Sequence, residues 1–257
     1  MRVIAFLFLA LSISAGDTPL PSLSTTAVNG DVLHANTLEI AGITFRDVTC
    51  KPAFSASTLH FLDIEAKAYR GRVTGSYSIE LGVDPHVHHC HFELSGVDLQ
   101  VLARSLGATS NNLAGQVDGW IDMELRAGNN ATISGRGQLD IQKGSLVEFP
   151  FMVSLLAGNP GAERGHDELH ARFDLRERAI HLVSLTLESP RVDLRATGQI
   201  GLDGMLSLKL SPRLPFTGFK SIPVIGDLLA SGLSKLTDKV TKPSLRGHIT
   251  QPVLNFF

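Results

Sequence analysis

The chain has 257 residues, 43% of them apolar, 19% charged and 6% aromatic, with a formal net charge of -2. Apolar content near the globular average and balanced charge exclude a disordered tail and a basic nucleic-acid binder. Two cysteines exclude a disulfide-dense scaffold, and beyond the first few residues no apolar run approaches the roughly 18 residues that cross a bilayer as a helix.

Met1 and Arg2 give a short positive start, Val3 to Leu11 an apolar core, and Ser14 and Gly16 the small residues of a cleavage site. Residues 1–16 therefore read as a signal peptide, with an uncleaved membrane anchor as the other reading. Residues 17–30, rich in Ser, Thr and Pro, read as a loose leader, so that 17–53 hold the leader and the first strands.

From about residue 54 apolar residues recur at every second position, the period of a half-buried strand. The alternation starts at Leu59 and Phe61 and is clear in Val73, Gly75, Tyr77, Ile79 and Leu81. In His86-Val-His88-His89-Cys90-His91 it would place His86, His88 and Cys90 on one face, where two or three of them could share a zinc or copper ion. The bland alternative is a set of histidines on a solvated strand face. Cys50 and Cys90 could also pair in an oxidising compartment, which excludes the metal role for Cys90.

Val97 to Leu106 carries apolar residues at helical spacing, with Asp98 as N-cap and Gly107 as stop. Strands return with Val117 to Leu125 and Ile133 to Ile141, followed by a short apolar helix candidate over 149–157. The most regular block predicts four strands between 166 and 211, punctuated by Arg176-Glu-Arg178, Ser189-Pro190 and the hairpin signal Asp203-Gly204. An amphipathic stripe at Ile225, Leu228, Leu229, Leu233, Leu236 and Val240 predicts a third helix. His166-Asp-Glu-Leu-His170 is not H-E-x-x-H, and its segment reads as strand, where histidines four apart lie about 13 Å from one another. The fold expectation is mainly β: an elongated antiparallel sheet with a few short amphipathic helices.

Tyr69-Arg-Gly-Arg-Val-Thr-Gly-Ser76, Gly96-Val-Asp-Leu-Gln-Val-Leu-Ala103 and Leu113-Ala-Gly-Gln-Val-Asp-Gly-Trp120 together resemble the C-terminal region of AsmA-like proteins of bacterial cell envelopes. The series continues in Ile133-Ser-Gly-Arg-Gly-Gln-Leu139 with Gly144-Ser-Leu146, in Asp167 to Phe173, in Leu187-Glu-Ser-Pro190 and in Ala196 to Gly204, so the resemblance spans 54–257. It implies a curved, groove-like sheet with an apolar concave face, related to bridge-like lipid-transfer proteins. The partners it implies are phospholipid acyl chains and a membrane surface or other envelope proteins, in the periplasm or cell envelope. Family members are commonly longer, with an N-terminal anchor and groove module.

On that reading Leu169, Phe173, Val192, Leu194, Leu206 and Leu208 line a lipid-binding groove, since each methylene moved out of water gains about 0.8 kcal/mol. The alternative is that these residues form the protein's own core, in a structural or interaction module of a larger envelope assembly. No G-x-S-x-G elbow, phosphate-binding G-x-x-x-x-G-K-[ST] or C-x-x-C occurs, and Gly135-Arg-Gly137 is followed by Asp140 where a dinucleotide fingerprint has a third Gly. The expectation is therefore no enzyme, no catalytic residue, no cofactor and no nucleic acid.

Overall fold

The computed structural model describes residues 22–29, 31–40, 43–105, 114–126, 132–144, 166–189, 193–213, 243–248 and 251–255. These form fourteen strands: β1 (Ser22–Asn29), β2 (Val32–Ile40), β3 (Ile43–Ser55), β4 (Thr58–Ala68), β5 (Gly71–Glu80), β6 (Val87–Asp98), β7 (Gln116–Arg126), β8 (Thr132–Gly144), β9 (Asp167–Arg176), β10 (Ala179–Glu188), β11 (Asp193–Gly201), β12 (Met205–Arg213), β13 (Ser244–His248) and β14 (Gln251–Asn255). One helix, α1 (Leu99–Ser105), separates β6 from β7. All fourteen strands belong to a single sheet in strict chain order, each antiparallel to the next, and the two outer strands do not meet. At about 4.8 Å per step, β1 and β14 lie roughly 60 Å apart along the sheet.

The expectation of an elongated antiparallel sheet thus holds, and its four-strand block is β9 to β12. The strands begin earlier than the sequence reading had them. Residues 22–29 are not a loose leader but β1, paired with β2 from Ser22↔Glu39 to Asn29↔Val32. The β-branched Thr25, Thr26 and Val28 favour extended backbone. The export signal at 1–16, the helix candidates at 149–157 and 222–240, and Val192 lie outside the described residues.

Register turns the alternation of each strand into one apolar face. A single row of partners runs Ile64, Gly75, Phe92, Ile121, Gly137, Phe173, Leu182, Gly198, Leu208, Leu245 across β4 to β13. Strict alternation would lose this face over such long strands, because a sheet twists as it extends. The register shifts between Phe61 and Ile64, between Leu94 and Val97, and between Leu182 and Leu185 reset it. At two of these bulges the spare residue has positive φ, Asp63 at 50° and Gly96 at 63°. A bulge adds one residue to one strand, so apolar residues three apart return to the same side while the strand bends.

The opposite face is polar and carries exposed cross-strand ion pairs such as Lys51–Asp63 at 2.8 Å and Arg72–Glu65 at 2.7 Å. Pairs this exposed are solvated and screened and add little, so the apolar face is what holds the fold. Helix α1 closes one end of that face. Asp98 caps it as the sequence predicts, its Oδ1 accepting from the amides of Gln100 and Val101 at 3.0 Å each. Leu99, Leu102 and Ala103 are buried among Val97, Val117 and Ile141.

Candidate functional site

The apolar face has a closed part and an open part. From β7 to β13 it is a continuous buried cluster that includes Leu169, Phe173, Leu194, Leu206 and Leu208, each only 2–4% exposed. Leu169 stands between Ile141 and Leu187, Leu194 opposite Leu187, Leu206 opposite Ile200, and Leu208 between Gly198 and Leu245. The structure therefore brings together the five described members of the predicted set on one face, in a region withdrawn from solvent.

Over β2 to β5 a second cluster consists of small side chains: Ala35, Val48, Ala66, Ala68 and Val73. Moving along the strands from this cluster toward the β3–β4 turn, burial fades. Leu59, Phe61, Ile64, Tyr77 and Ile79 are half-buried, and Phe54, the register partner of Leu59, is 66% exposed. Here the apolar face meets solvent. Alternation marks these residues as inward-facing, but not that they lack a cover, so sequence reading placed the site on β9 to β12 instead.

An aromatic ladder crosses the open part. The Phe61 and Tyr77 rings stack at 6.0 Å, and Tyr77 stacks on His88 at 5.9 Å. The Tyr77 hydroxyl is 2.6 Å from His88 Nδ1. Burial and the neighbouring Cys90 thiol push the Tyr77 phenol up to about 12. Burial, with His86 and His89 adding to it, lowers the His88 imidazole. Both groups are thus neutral near pH 7, the phenol donating and the ring nitrogen accepting. The ladder presents flat carbon surface in which the Tyr77 hydroxyl and His88 Nδ1 satisfy each other, a lining that suits an apolar ligand.

The metal reading of His86, His88 and Cys90 is corrected by the geometry. His86 precedes β6 and is exposed, its Nδ1 2.9 Å from the Val83 carbonyl, so only His88 and Cys90 share the face. Among the described residues no group of three His, Cys, Asp or Glu side chains is arranged to hold a metal ion. Cys50 and Cys90 are both free thiols. They sit on β3 and β6, three strand spacings or about 14 Å apart, beyond the roughly 7 Å that a disulfide spans.

His89 and His91 point to the polar face, as alternation requires, and border a shallow depression of about 530 Å³ there. His89 meets Glu80 at 3.1 Å, and His91 Nδ1 pairs with Asp122, which Arg136 approaches at 3.6 Å. The Asp122 hydrogen bond raises the His91 imidazole above its ordinary value. His89 lies between Glu80 and Glu124, and His91 between Asp122 and Glu93, so the two rings link neighbouring strands through their carboxylates. Among the described residues no helix is long and apolar enough to cross a membrane. Comparison of the chain with family models, with curated proteins and with solved structures finds no match.

Proposed function

We propose that the protein is a non-enzymatic lipid-binding component of the cell envelope that holds phospholipid acyl chains on the apolar sheet face and helps move them. The observation that carries this reading is the open part of that face. Leu59, Phe61, Ile64, Tyr77 and Ile79 form a strip only half withdrawn from water, on the face that carries the small-residue cluster of β2 to β5. A chain lying along the strip would gain about 0.8 kcal/mol per methylene while its head group stayed wet at the edge. The export signal read at residues 1–16 and the AsmA-like series over 54–257 support an envelope location and a lipid ligand.

The second reading, a structural or interaction module, is favoured by one observation: Leu169, Phe173, Leu194, Leu206 and Leu208 are as dry as any ordinary core. Lipid mass spectrometry on gently purified protein separates the two. Stoichiometric phospholipid that is lost in Phe61→Glu, with the fold retained by circular dichroism, is the expected result. Absence of lipid from a folded wild type would make the face a core and nothing more.

A further inference from the structure

The two ends of the apolar face differ. At the end where β6 turns into β7, α1 folds over it, with Leu99, Leu102 and Ala103 buried. At the opposite end, the β3–β4 and β5–β6 connections present Phe54 at 66%, Leu81 at 44% and Val83 at 43% exposure. Leu81 continues the inward-facing series Tyr77, Ile79, and Phe54 stands beside Leu59, so these side chains extend the open strip to the tips of the strands. The two connections are also tied together, since the Leu81 amide donates to the Ser57 carbonyl at 2.8 Å.

We propose that these paired tips are a membrane-contacting lip: Phe54, Leu81 and Val83 enter the outer layer of a lipid bilayer and bring the open end of the apolar strip against the acyl chains. A bilayer fits better than a protein partner on grounds of area and shape. The three exposed side chains offer roughly 300 Å², well under the approximately 800 Å² that each partner gives to a stable protein interface. Leu81 and Val83 project from the β5–β6 turn and Phe54 from the tip of β3, so the three form no flat face. The charges beside the lip are mixed, with Glu80 held by His89, and Lys51 paired with Asp63. No basic collar is present among the described residues there, so insertion is driven by apolar contact and does not need anionic lipid.

The lip is separable from the lipid-binding reading. A protein that carries phospholipid without contacting vesicles keeps the strip and loses the lip, and the reverse outcome keeps the lip and loses the strip. The test is flotation of the full chain with phosphatidylcholine vesicles. Wild type is expected to float, at about 0.5 M salt as well as at low salt. The triple variant Phe54→Ser, Leu81→Ser, Val83→Ser is expected to retain its melting temperature, since all three residues are exposed, and to bind about tenfold more weakly. Because an apolar leader would float both proteins alike, a second readout addresses the tip itself. In Phe54→Trp made together with Trp120→Phe, the single tryptophan should shift to the blue on vesicle addition and be quenched by brominated lipid. An unshifted tip tryptophan, binding that salt abolishes, or a triple variant whose only change is loss of a protein complex would each overturn the lip.

Discussion

Phe173 lays its ring on the bare backbone of Gly137, its register partner on the neighbouring strand. A Cβ built on Gly137 would stand 2.5 Å from Phe173 Cζ and 2.8 Å from the Trp120 carbonyl oxygen. Gly75 and Phe92 repeat the relationship in the same row, with 2.9 Å to the Phe92 ring. An aromatic ring thus covers a strand glycine twice where the sheet bends, restoring the packing that the missing side chain forgoes. Gly137→Ala is expected to destabilise the fold by about 1–3 kcal/mol in urea denaturation, by overpacking. Phe173→Leu in the same chain should recover part of that loss, so the two substitutions should be non-additive. Strict additivity would show that the ring and the glycine are independent.

The β9–β10 turn is made by Glu177 and Arg178, with φ of 53° and 57°. Positive φ at both central positions suits a tight hairpin but strains residues with a Cβ. Replacing the pair by Asn-Gly is expected to stabilise the protein by about 1 kcal/mol and raise its melting temperature by roughly 2–4 °C. An unchanged or lower melting temperature would mean that these two side chains compensate locally for the strain.

Two histidines on opposite faces of β6 should give opposite pH dependences. His91 is raised by its hydrogen bond to Asp122, so its contribution is complete below the ordinary value of 6.5 and is lost as pH climbs through the folded value. His88 is lowered by burial, so its contribution is present above 6.5 and is lost as pH falls through the folded value. The stability difference between wild type and His91→Gln should therefore shrink from pH 6 to pH 8, whereas that for His88→Gln should grow. Denaturation across this range measures both slopes, and parallel slopes would contradict the assignment of faces.

The thiols should also differ. Burial pushes Cys90 up to about 11, with Asp122 adding to the effect, and raises the less buried Cys50 more modestly. At pH 8 the Cys90 thiolate fraction is of order 0.001, so a thiol reagent should modify Cys50 first and Cys90 only on unfolding. Equal rates in the native protein would indicate that the open strip admits the reagent.

The sequence pattern was a good guide wherever spacing alone decides the outcome. The runs Val117 to Leu125 and Leu169 to Leu175 became β7 and β9 with the predicted faces, and Asp98 capped α1. It failed where alternation breaks. Asp63 and Gly96 shift the apolar spacing from two to three at bulges, so a strict period could not carry the face across β4 and β6. At β1 the abundance of Ser and Thr suggested a leader, although Thr is itself a good strand former. The site was only half legible. Leu169 and Phe173 were correctly placed on the apolar face, but exposure at Phe54, Leu81 and Val83 depends on what lies over each residue, which a period of two does not encode.

Because every strand pairs only with its neighbours in the chain, the sheet has the logic of a zip. Contacts accumulate hairpin by hairpin, and none requires a distant segment to arrive first. Such an order keeps loop-closure costs low and lets stability grow as a sum of adjoining interfaces, as in stacked repeats. Deleting or duplicating one hairpin would change the span of the apolar face by about 10 Å without rewiring the remainder. Reach, for this architecture, is a quantity adjustable in single steps.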